Sequence, residues 1–168
     1  MNPEQALREE HSKRRTRELT EWVGGNRGRF QRMVGFMTGG EPLLEQRSAW
    51  VVGDCVEQWP RLAGPHLCGL LDNLDRSGLH PAVVRATFRI LQFADIPPVL
   101  EGRVCGMAMA ALGGATPVAV KVYAMTVLKR LVARYPEIEE EVRLLVAEQL
   151  PEASPAFRAR ARMNFGLE

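Results

Sequence analysis

Trp50 and Asp54 lie four residues apart, and so do Arg85 and Arg89. On a helix that spacing puts both members of a pair on one face. An indole and a carboxylate one turn apart can wall and balance a cation. Two guanidinium groups one turn apart can clasp phosphate or carboxylate oxygens. Arg47, Arg85, Lys121 and Arg158 form a wider series, each three to five residues after a proline. Such a column either grips an acidic partner or pairs with carboxylates and carbonyls of neighbouring segments.

Other routes to chemistry are missing from the pattern. His11, His66 and His80 do not converge, and no Ser/His/Asp order, Walker loop, GxGxxG, HExxH or EF-hand occurs. Cys55, Cys68 and Cys105 are odd in number and widely spaced, with no CxxC and no Cys/His pair at zinc-ligand spacing. They read as three buried, reduced thiols. No catalytic residue, metal or cofactor is expected.

The composition sets the frame for any site. With 168 residues, 46% hydrophobic and 25% charged, the chain can bury the core of one domain, which excludes a disordered tail or a disulfide scaffold. Its 22 basic and 20 acidic side chains leave +2, too balanced to signal nucleic acid or membrane. The longest uncharged stretch, Val104 to Val120, is interrupted by glycine and proline and is short for a membrane helix. Met1-Asn2-Pro3-Glu4-Gln5 lacks a basic segment leading into an apolar core, so a cytoplasmic location is expected.

Prolines organise the rest. Pro42, Pro81, Pro117 and Pro155 are 39, 36 and 38 residues apart, and Pro60, Pro97 and Pro136 are 37 and 39 apart. Proline suits the first turn of a helix and is excluded from its interior. Two interleaved series therefore predict two helices per repeat, with a period typical of helical solenoids. Thr116-Pro117 and Ser154-Pro155 read as an N-cap followed by proline, and Gly39-Gly40, Gly78 and Gly113-Gly114 as helix ends. Apolar residues recur at helical spacing, with Val84, Phe88 and Leu91 and then Val120, Ala124 and Val127 facing the core. The expected helices span 4–10, 13–23, 27–38, 42–58, 61–75, 81–93, 98–112, 117–134, 137–150 and 155–166. Leu7, Leu19, Trp22 and Val23 pack the N-terminal cap, while Lys13, Arg14, Arg15 and Arg17 stay in water. Glu137, Glu139, Glu140 and Glu141 crowd the turn after Pro136, where carboxylates meet the positive end of a helix dipole.

The four segments that open the first proline series align, with Val84-Arg85 and Val120-Lys121 at equivalent places and Gln46-Arg47 and Phe157-Arg158 departing at the first position. This pattern resembles the HEAT repeat, a helix pair whose second helix opens with Val-Arg or Val-Lys. Gln46–Val52, Ala86–Ile96, Pro117–Leu128 and Ser154–Ala161 also resemble small bacterial HEAT-like (armadillo-type) proteins. The resemblance covers about residues 27–166. It implies an all-α fold: a right-handed α-solenoid of about four helix pairs, 27–59, 60–96, 97–135 and 136–168, behind a helical cap, 1–26. The turn carboxylate of the family lies six residues before the cation. Glu41 and Glu152 occupy that place, but Leu79 and Ala115 replace it before Arg85 and Lys121, leaving those cations available. The same missing carboxylate leaves Arg85 and Arg89 without a structural partner. The chain lacks the Ser-Ser-x-Met-Pro loop of an adenylosuccinate lyase, and at 168 residues it is too short for that enzyme.

The implied function is non-catalytic binding of another protein or an acidic peptide by the concave face, through Arg47, Trp50, Asp54, Arg85, Arg89 and Lys121. The alternative is nucleic acid. Trp50 and Asp54 are similar to the Trp and Asp of HEAT-like DNA glycosylases. That likeness implies Asp54 opposite a developing sugar cation, Trp50 as a wall, and Arg85 and Arg89 on phosphates.

Overall fold

The computed structural model describes residues 1–168. It is all-helical, with 78% of residues in helices and no strand, as the proline spacing and apolar periods predict. The chain forms two compact units, Met1–Ile96 and Pro97–Glu168. The first holds α1 (Pro3–Glu9), α2 (Lys13–Val23), α3 (Arg27–Thr38), α4 (Pro42–Gln58), α5 (Leu67–Leu74) and α6 (Pro81–Phe93). The second holds α7 (Pro98–Gly113), α8 (Val118–Val132), α9 (Glu139–Ala147) and α10 (Pro155–Phe165).

Side-chain caps start several of these helices. Ser12 accepts from the Arg15 amide at 3.1 Å, Asn26 from Arg29 at 3.0 Å, and Ser154 from Phe157 at 3.4 Å. The His80 imidazole caps α6, with Nδ1 accepting from the Ala82 amide at 3.1 Å. Each cap satisfies one amide that the first turn leaves without an intrahelical acceptor. Gly24 closes α2 in the left-handed region, at φ 53°, where glycine avoids the Cβ clash. Glu139, Glu140 and Glu141 lie in the first turn of α9, as expected.

Three boundaries differ from the expectation, for local reasons. Residues 61–75 are not one helix: short 3-10 turns at Pro60–Leu62 and Gly64–His66 precede α5. Pro65 removes an amide and its ring would clash with the carbonyl four residues earlier. Pro136–Ile138 is likewise a 3-10 turn ahead of α9, which ends at Ala147 before a fourth such turn at Leu150–Glu152. Thr116 does not cap α8. Its hydroxyl donates to the Ala111 carbonyl near the end of α7, and Pro117 is the cap residue.

In the first unit α4 is central, packed against α3 and α6 and touched by α1 and α2. Leu7, Leu19 and Val23 of the N-terminal helices are buried with Phe30, Met33, Val52, Leu71 and Ile90, while Trp22 is half-buried. On α6 Phe88 and Leu91 are buried as expected, whereas Val84 is only half-buried and its neighbour Val83 is fully buried. The apolar arc of this helix takes in Ala82, Val83, Ala86, Phe88, Ile90 and Leu91, and the helix packs against α4. In the second unit α8 packs against α7 and α10, and α7 touches α9. Val120, Ala124 and Val127 are buried there as expected.

One buried carboxylate anchors each unit. Glu45, in the first turn of α4, accepts from the Gly40 amide and from Arg76 Nη1, each at 2.7 Å. Glu101, in the first turn of α7, pairs with Arg134 and accepts from the Tyr135 hydroxyl. A buried carboxylate is tolerated only with such donors around it. That hydrogen bond to Glu101, with desolvation, raises the Tyr135 hydroxyl above its ordinary pKa.

Candidate functional site

The outer stripe of α4 is built by spacing. Arg47, Trp50, Asp54 and Glu57 recur every three or four residues and share one face. The other faces hold Ala49, Val51, Val52, Cys55 and Val56, all buried. Arg85 and Arg89 occupy the polar face of α6, which packs alongside α4.

Arg89 crosses onto α4. It donates to Asp54 Oδ1 at 2.7 Å and also to Glu57. Gly53 makes room for it: a Cβ there would lie 3.3 Å from Arg89 Nη1 and 3.6 Å from its Cδ. Burial opposes the Arg89 charge, but the hydrogen bonds to Glu57 and Asp54 outweigh it and hold the guanidinium more firmly protonated than usual. Arg89 is therefore an ion-paired tie between two helices, contrary to the expectation that it lacks a carboxylate. Asp54 is thereby committed to this arginine.

Arg85 is held differently. Its guanidinium lies over the Trp50 ring, 4.9 Å from the centroid, and no carboxylate pairs with it. The indole is 41% exposed, and the His11 ring lies tilted beside it at 6.4 Å. An aromatic face positions a guanidinium without cancelling its charge, whereas a carboxylate does both. Arg85 is thus an oriented cation with free donors, on the edge of an exposed aromatic plate.

The remaining cations of the column serve structure. Arg47 donates to the Leu7 and Arg8 carbonyls, at 2.6 and 2.9 Å, where α1 ends. Cations suit that end of a helix. Arg158 donates to the Pro151 and Ala153 carbonyls, each at 3.1 Å. Lys121 belongs to the second unit. It donates to Gln149 Oε1 beside a pocket of about 460 Å3, and Gln149 is fixed in turn by the Leu112 and Leu145 carbonyls. The structure therefore brings together Trp50, Asp54, Arg85 and Arg89, and turns Arg47 towards α1.

His11, Gly53 and Glu57 are the members of the ledge that sequence reasoning missed. Glu57 had a signal, since it continues the stripe three residues after Asp54. His11 and Gly53 had none, because their neighbours are distant in sequence. The three histidines remain apart: His66 sits edge-on to Phe30 at 5.5 Å, and His80 is a helix cap. Burial pushes the His66 imidazole below its ordinary pKa. No group of three or more His, Cys, Asp or Glu is arranged to hold a metal ion.

The cysteines also differ from expectation. Only Cys55 is buried, Cys105 is half-buried and Cys68 is exposed on α5. Burial pushes the Cys55 thiol up to about 12, so it stays protonated and unreactive at neutral pH. In the N-terminal basic cluster, Arg14 pairs with Glu10 and Glu18, and the half-buried Arg15 pairs with Glu18. Both cations are ion-paired; Arg14 stays exposed, as expected, whereas Arg15 is half-buried.

No helix is long and apolar enough to cross a membrane. No protein-family model, no curated protein and no solved structure matches the chain.

Proposed function

We propose that the chain is a HEAT-like α-solenoid that acts as a non-catalytic binding scaffold for an acidic segment of another protein. Three packing relations support the solenoid reading. Helices of the first proline series lie side by side within each unit, α4 with α6 and α8 with α10, and α7 pairs with α8. Nearest-neighbour stacking of this kind is how helical repeats bury their apolar stripes. The observation that carries the functional reading is Arg85, oriented on the exposed Trp50 and left without a carboxylate. Arginine and tryptophan are both enriched among binding hot spots, and here an aromatic anchor stands beside a directional cation. A partner carboxylate can take the open guanidinium donors while an apolar neighbour covers the indole. Asp54, already bound by Arg89, is a support of this ledge rather than a catalytic group.

Affinity capture with the wild type, Arg85→Gln and Trp50→Ala tests the reading. Both variants should lose the same captured acidic protein while melting within a few degrees of the wild type. Retention of that protein by both variants would move the binding surface elsewhere. Release of a base from alkylated duplex DNA by the wild type would replace the scaffold reading with the glycosylase one.

A further inference from the structure

A second set of unneutralised arginines lies on α3, outside the ledge. From Trp22 to Gly40 the chain has no Asp or Glu, yet it carries Arg27, Arg29 and Arg32. Elsewhere in the same unit Arg8, Arg14, Arg15, Arg76 and Arg89 each pair with a carboxylate. On α3 the partners are aromatic instead. Arg29 lies over Trp22 at 5.0 Å and donates to its carbonyl, and Arg32 lies over Phe36 at 5.8 Å. Arg27, Arg29 and Arg32 are all exposed. Two of the three are therefore oriented by rings that leave their charge intact.

Two glycines sit on the same outer face. Gly28 and Gly35 are seven residues apart, two turns along the helix, and both are exposed. A Cβ on Gly35 would meet nothing within 4 Å, and one on Gly28 would meet only Asn26 Oδ1 at 3.5 Å. Packing within the chain does not call for glycine at either place, although glycine weakens a helix interior. What the pair provides is a bare strip of helix beside the arginines, which a thin, charged chain can approach closely. No large apolar side chain is exposed between Trp22 and Gly40. A protein interface draws on aromatic or aliphatic anchors. A polyanion needs only cations, and guanidinium groups match phosphate oxygens two at a time.

We propose that the outer face of α3 binds the phosphodiester backbone of a nucleic acid, which passes over Gly28, Arg32 and Gly35 while Arg27 and Arg29 reach phosphates from the two flanks of that strip. Contacts of this kind set affinity and position and carry no base recognition. The site is independent of the Trp50 ledge and adds a second class of partner.

Anisotropy of a fluorescein-labelled duplex of mixed sequence, titrated with the full chain across a salt series, tests it. Three phosphate contacts give a log–log salt slope of roughly −2.7. In Arg27→Gln/Arg29→Gln/Arg32→Gln the slope should become shallower than about −1, with affinity at low salt down at least about tenfold. Arg29→Gln alone should remove about one unit of slope, so the test holds even where the triple variant fails to fold. Gly35→Leu favours the helix and should raise the melting temperature, yet weaken the duplex by blocking the strip. Arg14→Gln/Arg15→Gln, which removes neutralised cations, should leave binding unchanged. No duplex binding at low salt, or an unaltered slope in the triple variant, overturns the proposal. Displacement of the duplex by an equal charge of polyglutamate overturns it in favour of an acidic protein. Loss of duplex binding in Arg85→Gln equal to that in the triple variant assigns the nucleic acid to the ledge and overturns it as well. Failure of the acidic-protein capture leaves all of these readouts intact.

Discussion

Charge reversal separates two arginines that stand one turn apart on α6. Arg89→Glu removes hydrogen bonds to Asp54 and Glu57 and places a third carboxylate beside them. The Arg89 side chain is 24% exposed, Asp54 31% and Glu57 47%. Hydrogen bonds to charged groups contribute about 1.5–3 kcal/mol when buried. Solvent screening at this exposure reduces the two together to about 2 kcal/mol. Repulsion among three carboxylates adds about 1 kcal/mol in a wet environment. The total is about 3 kcal/mol, or a fall in Tm of roughly 6–12 °C for a chain of this size. Arg85→Glu removes only a cation–π contact with a half-exposed indole, about 0.5–1 kcal/mol, or a fall of roughly 1–4 °C. Thermal melts followed by far-ultraviolet circular dichroism, at matched low salt, measure both. Equal shifts for the two variants would refute the assignment of Arg89 as a tie and Arg85 as an open cation. A larger loss at Arg85 would reverse it. Raising the salt should narrow the gap, because part of the Arg89 contribution is screened.

Arg76→Ala strands the Glu45 carboxylate, whose side chain is 4% exposed. The cost should be about 2 kcal/mol, below the range for a fully buried pair because Arg76 itself is 40% exposed. In urea denaturation Glu45→Leu on that background should recover part of the loss, and a further loss of stability there would count against a stranded charge. Phe88, 4% exposed, should cost about 3–5 kcal/mol on truncation to alanine, and an unchanged Tm would mean that the ring is not in the core. Glu41 is held below the usual carboxylate range by its hydrogen bond from Arg8. A depressed folded pKa gives stability that is present above the unfolded value and lost as pH falls through the folded one. Glu41→Gln should therefore lose less Tm than the wild type on acidification below about pH 4, and parallel pH profiles would remove Glu41 from the acid transition. In alkylation at pH 8, Cys68 should react with iodoacetamide while Cys55 reacts only on unfolding, and equal labelling of both would contradict the burial of Cys55.

The helices and most of the core were legible in the sequence because their causes are local. Proline cannot sit within a helix, glycine ends one, Ser154 caps the next turn, and apolar side chains recur at 3.6 residues. Pro65 was passed over: the expected helix 61–75 ran through it, and the structure breaks there into 3-10 turns. Trp50, Asp54, Arg85 and Arg89 could be paired from spacing alone, but which cation is neutralised could not. Tertiary packing decided that. Arg89 finds Asp54 35 residues away, Arg47 finds Leu7 40 away and Arg76 finds Glu45 31 away. A long, flexible cation takes whichever acceptor the neighbouring helix presents, and no local rule names that neighbour. The same physics left Arg85 on an indole and the α3 arginines on Trp22 and Phe36, with their charge directed to solvent.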